Sequence, residues 1–157
     1  MNTINRRTSL HKVAAFACIS LALLAPMKSV FADDMKHGVS QPDKLAWGLF
    51  DPKQPKGVQI TVLFGDPSKS GPFALRLKVP AGLDLGSHTH SNPEFVTVIS
   101  GKAKISWGVK SDVMAGDDLM PGTFFWMSGG DHHDFKAIDE TVVELHSMGP
   151  FDMIADK

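Results

Sequence analysis

Residues 82–101 read Gly82-Leu-Asp-Leu-Gly86-Ser-His88-Thr-His90-Ser-Asn-Pro93-Glu94-Phe-Val-Thr-Val-Ile-Ser-Gly101. His88 and His90 are two positions apart. In extended chain, side chains alternate faces, so both imidazoles point the same way. Pro93 has no N–H to donate and cannot sit within a paired central strand, so a bend is expected there. Beyond that bend Glu94 can return to the face the histidines share. Two imidazoles and a carboxylate that converge suit a divalent transition metal with open coordination positions. The plainer alternative is a polar turn with solvated histidines. Against it stand the bracketing glycines and the further histidines downstream, His132 and His133.

The same bracket carries a family resemblance. Gly82, five residues, His88-x-His90, three residues, Glu94, six residues and Gly101 match the first motif of the cupin superfamily at every position. The second motif is degenerate. Gly122, five residues, Ser128-x-Gly130, two residues and His133 keep its spacing, but Ser128 replaces the usual proline and Ala137 the usual asparagine. The resemblance extends from about Gly57 to Phe151, and over Val62–Pro80 and Thr141–Phe151 the chain is similar to a group of bacterial single-domain cupins that mostly lack an assigned reaction. It implies an all-β fold, a cupin jelly-roll β-barrel of two antiparallel sheets. It also implies one metal per chain, held by His88, His90, Glu94 and His133. His132 remains the alternative to His133. Adjacent strand residues face opposite ways, and the motif spacing favours His133. Three neutral imidazoles and one carboxylate suit Fe, Mn, Ni, Cu or Zn in the divalent state, and sequence does not choose among them.

The chain outside the motifs sets the frame. Arg6, Arg7 and Lys12 precede an apolar run, Val13–Met27, too short to span a bilayer comfortably. Val30-Phe31-Ala32 resembles a small-residue cleavage site, so residues 1–32 read as a secretory signal peptide. The expected location is therefore the periplasm or the exterior, with no stable membrane insertion once the signal is removed. Arg6-Arg7 leaves open both the twin-arginine and the general export route. Four of the sixteen basic residues and none of the seventeen acidic ones lie before Asp33, which leaves residues 33–157 at a net charge of −5. Those basic residues are dispersed, so nucleic acid is not an expected partner. The single cysteine is Cys18, so a mature chain starting at Asp33 would have no disulfide, thiolate ligand or cysteine nucleophile.

The expected organisation is a signal peptide (1–32), an N-terminal arm (33–56) and one cupin domain (57–157). Strand signals fall at Ile60–Phe64, Phe73–Val79, Glu94–Ile99, Ala103–Trp107, Phe124–Met127 and Thr141–Leu145. Ser100-Gly101-Lys102 reads as the turn of a hairpin between the third and fourth of these. Half of Phe124–Met127 should face the interior, as core or as substrate lining. Arg76 and Lys78 share a solvated face. Phe135 shares the face of His133 and should line the pocket. His146 is a candidate to hydrogen-bond a ligand or substrate. Asp131 and Asp134 read as solvated loop carboxylates. Cupins commonly form homodimers, and the arm with Trp47 is placed to cover a partner subunit. The function expected is a metal-dependent enzyme of dioxygenase or isomerase type acting on a small molecule. The alternative is a non-catalytic metal-binding or ligand-sensing cupin. Catalytic residues beyond the ligands are not legible.

Overall fold

The computed structural model describes residues 37–49 and 57–156, all within one compact unit spanning 35–157. Residues 1–36, 50–56 and 157, and with them the signal peptide, Cys18 and much of the arm, lie outside the described residues.

Eleven strands are described: β1 (Gly48–Leu49), β2 (Gln59–Phe64), β3 (Gly71–Val79), β4 (His88–Thr89), β5 (Glu94–Ser100), β6 (Ala103–Trp107), β7 (Asp117–Leu119), β8 (Phe124–Met127), β9 (His133–Ala137), β10 (Thr141–Gly149) and β11 (Ile154–Ala155). They form two sheets, ordered β1-β2-β3-β10-β5-β8 and β11-β4-β9-β6-β7. Every strand pair is antiparallel, as the cupin jelly roll requires.

The alternation in β3 shows why these sequences form half-buried strands. Phe73, Leu75 and Val79 are at most 2% exposed, whereas Arg76 points outward to Glu144 on β10, with Nε–Oε2 and Nη2–Oε2 distances of 2.9 and 2.8 Å. β10 pairs along its whole length with β3 and by five residues with β5. Leu145 and Val143 therefore point into the barrel, beside Val96 and Val98 from β5.

The expected hairpin at Ser100–Lys102 is not one. β5 belongs to the six-stranded sheet and β6 to the five-stranded sheet, so the turn carries the chain from one sheet to the other. Gly101 makes the crossover possible. Its φ is +81°, and a Cβ there would lie 2.2 Å from the Glu140 carbonyl oxygen. The described part of the arm has contacts within its own chain. β1 pairs with β2 of its own chain, and the Trp47 ring lies 4.4 Å from Lys78 Nζ, so Trp47 packs on its own sheet.

Candidate metal centre

Three histidines meet inside the barrel. His88 lies on β4, His90 one residue beyond that strand's end, and His133 opens β9, where it pairs directly with His88. One nitrogen from each ring lies within 4.8 Å of the other two. Exposure is 3% for His88, 6% for His90 and 3% for His133. His132 faces away. Its Nδ1 lies 2.8 Å from Asp156 Oδ1, and its side chain is 40% exposed. Strand alternation separates the adjacent pair, with His133 inside.

Each of the three rings is held by a backbone carbonyl. His88 Nδ1–H donates to Gly86 O at 2.6 Å, His90 Nδ1–H to Asp152 O at 2.5 Å, and His133 Nδ1–H to Asp131 O at 3.1 Å. A carbonyl only accepts, so Nδ1 carries the proton in every case and Nε2 keeps its lone pair. Burial pushes all three imidazoles down to about 4; the carbonyl bonds oppose this only in part, and like-charge repulsion among the rings adds to it. They are therefore neutral at neutral pH. Three neutral rings whose protons are committed to outer carbonyls form a preorganised set of nitrogen donors. Phe151 fixes the plane of His90 by stacking on it at 5.2 Å.

Glu94 is the first residue of β5, 3% exposed, and it lines the same cavity. It stands outside the tight nitrogen cluster. Its Oε1 comes within 3.4 Å of His90 Nδ1, but that proton is directed to Asp152, and Oε1 has no hydrogen-bond partner among the described residues. Burial, aided by the nearby Asp152 charge, pushes this carboxyl up to about 8. A buried carboxylate without a donor beside three imidazole lone pairs lacks a counter-charge, which a dication would supply. On that chemistry the three histidines could hold a divalent metal, and Glu94 is a buried carboxyl lining the same cavity.

Phe135 lines the cavity as expected from its shared face with His133. Phe125 and Met127 line it too, while Phe124 and Trp126 are 53% and 65% exposed on the outside. His146 does not reach the site. It alternates with the inward Leu145 and is exposed, its Nε2 lying 3.1 Å from Glu144 Oε1 on the barrel's outer face. Asp134 is not a solvated loop carboxylate, being 8% exposed within β9, whereas Asp131 is exposed and caps a turn through Ser128 N.

The sequence reading missed the tail after β10. Asp152 supplies the His90 carbonyl and accepts from Ser91 N at 2.8 Å and from Ser91 Oγ at 2.5 Å. Met153 lines the cavity, and Ile154–Ala155 pairs with Thr89 and His88. Pro150, which ends the preceding strand, was the one available signal that the chain turns there. Nothing in a residue's type marks its carbonyl as a partner for a histidine.

Solved structures share this fold. A crystal structure from Methylibium petroleiphilum PM1, provisionally assigned as an acetylacetone dioxygenase, is 18% identical, with a TM-score of 0.62 over 78% of this chain and 83% of that one. An RmlC-like cupin protein from Ralstonia eutropha JMP134 is 17% identical, with a TM-score of 0.60 over 78% and 74%. An acetylacetone dioxygenase from Acinetobacter johnsonii is 20% identical, with a TM-score of 0.57 over 79% and 84%. At these identities the likeness establishes the fold. No curated protein matches the chain. The family described as a domain of unknown function, DUF4437, matches residues 31–154, so the chain belongs to that family, and its fold is that of the cupins.

Proposed function

We propose that this protein is an exported, metal-dependent cupin enzyme, of dioxygenase or isomerase type, that acts on a small molecule inside the barrel. The observation that carries the reading is the buried cluster of His88, His90 and His133, whose rings each bring one nitrogen within 4.8 Å of the others in a shared cavity while Nδ1 of each is held by a backbone carbonyl, leaving Nε2 for a metal. Those residues and Glu94 would hold one divalent ion of iron, manganese, nickel, copper or zinc. Such an ion supplies Lewis acidity and, when redox-active, electrons. The chain's own part is to orient the ligands through Gly86, Asp131 and Asp152, to exclude water with an apolar wall, and to hold or release a proton at Glu94. The wall offers no further acid or base among the described residues. That feature favours the second reading, a non-catalytic metal-binding or ligand-sensing cupin.

Metal analysis of the purified protein tests the core of the proposal. Near-stoichiometric metal is expected in the wild type and in His132→Ala, with large losses in His88→Ala and His133→Ala. Full occupancy in both of the latter variants rejects the site. Oxygen uptake or isomerisation by the loaded wild type separates the enzyme from the sensor.

Export and assembly complete the reading. Asp33 is the expected first residue of the mature form, which N-terminal sequencing of the exported protein checks. A homodimer is supported by Phe95, Phe124 and Trp126, which are 45–65% exposed on β5 and the edge strand β8. Sedimentation at micromolar concentration should give twice the chain mass, and a monomer contradicts this.

A further inference from the structure

The cavity wall is more selective than the donor set. Among the described residues that line it, the polar side chains are His88, His90, Glu94 and His133, all belonging to the proposed centre. The rest of the wall is aliphatic, thioether or phenyl, with Val96, Ile105, Phe125, Met127, Phe135 and Leu145 representative. No arginine, lysine, serine, threonine, asparagine or glutamine contributes to it among those residues.

The polar groups closest by strand are engaged elsewhere. Arg76 alternates with lining Leu77 but faces outward to Glu144, and Lys78 faces outward over Trp47. The Ser147 hydroxyl donates to Pro93 O at 2.8 Å, and the Thr141 hydroxyl to Lys102 O at 2.8 Å. Ser106 and Ser111 share a hydrogen bond at 2.7 Å.

We infer that the barrel takes a small molecule that presents one or two adjacent oxygens to the His88–His90–His133 cluster and is uncharged and largely apolar elsewhere, and that it discriminates against molecules carrying a carboxylate, a phosphate or sugar hydroxyls on the part that meets the wall. The inference rests on the metal reading above and names its substrate class. An oxygen pair on a hydrocarbon body places its polar end on the donor set and its remainder against the wall. A second charged group would be buried with no counter-charge, and each hydroxyl of a sugar would lose its hydrogen bonds to water without replacement. Buried sites discriminate most sharply against polar groups they leave unpaired.

A matched pair of probes tests it. 4-Methylcatechol and 3,4-dihydroxybenzoate share the oxygen pair and ring and differ by a methyl against a carboxylate. Calorimetric titration of the zinc-loaded full-length protein, without turnover, should show the methyl compound binding at least about ten-fold more tightly. The Met153→Lys variant places a cation in the wall where the side chain is only half-buried, and it should narrow that ratio several-fold. Equal affinities, or tighter binding of the acid to the wild type, overturn the substrate class. So does zinc that loads while neither catechol binds, and in that case the metal reading stands. Failure of the wild type to load zinc or any other divalent ion overturns both.

Discussion

Glu94 and the three histidines make opposite demands on the metal-free protein. A histidine held near 4 in the fold and near 6.5 when unfolded binds its proton first in the unfolded chain. Stability from these rings is present above about pH 6.5 and is lost as pH falls toward 4. Glu94 runs the other way. Its carboxyl is raised to about 8 in the fold from 4.5, so the folded state keeps a proton the unfolded state has released. Its contribution is lost as pH rises from about 4.5 through 8. Glu94→Gln removes that falling limb. Denaturant titrations of the metal-free variant should match the wild type near pH 4.5 and show a gain of several kcal/mol, at most about 5, near pH 8.5. An unchanged difference between the two pH values contradicts a buried, protonated Glu94. His146→Ala, by contrast, removes an exposed partner of Glu144 and should leave metal content unchanged, with a stability change within about 0.5 kcal/mol.

The tail from Phe151 to Asp156 is a strap across the centre. It supplies the Asp152 carbonyl to His90, stacks Phe151 on the same ring, adds β11 beside β4 and ties Asp156 to Ser87 and His132. Truncation after Pro150 should leave the six-stranded sheet intact and weaken metal binding by about 10- to 100-fold, the range seen when partners of metal-bound histidines are lost. A competition titration with a chromophoric chelator reads this directly, and unchanged affinity assigns the strap no part in the centre. The strap also marks where sequence reading stops. β2, β3, β5, β6, β8 and β10 were legible because each has at least four residues and a mostly apolar or alternating run; β9 has five residues and a buried face but was not, because His133, Asp134 and Lys136 interrupt its apolar signal. β4 and β11 have two residues each, too few to show a period, and are held by pairing with distant chain. The Ser100–Lys102 turn was legible as a turn but not as a crossover, because pairing partners are set by packing of the two sheets and leave no local trace. His88, His90 and His133 were legible because the motif spacing is local; the carbonyls that orient them were not, since any residue provides one.

With its single cysteine at position 18, residues 37–156 contain no disulfide, and no helix among the described residues is long and apolar enough to cross a membrane. The fold therefore rests on one apolar core, from Phe73 and Leu75 to Ala137 and Leu145, plus whatever binds the native state. The donor cluster joins strands that are far apart in sequence: β4 and the chain after it meet β9 more than forty positions later. An ion held there links both ends of the motif region and is bound by the folded state in preference to the unfolded one. By linkage, free metal at 100 times its dissociation constant adds about 2.7 kcal/mol. For a domain of this size that corresponds to a rise in Tm of roughly 10 °C. Thermal unfolding with a saturating divalent ion and after chelation should differ by that amount in the wild type. The same comparison in His88→Ala should show little difference, because the cluster loses the ring that pairs β4 with β9. A wild-type Tm that does not respond to metal, in protein shown to be metal-free beforehand, removes the centre from the stability of the fold. An equal rise in His88→Ala places the stabilising ion somewhere other than these histidines.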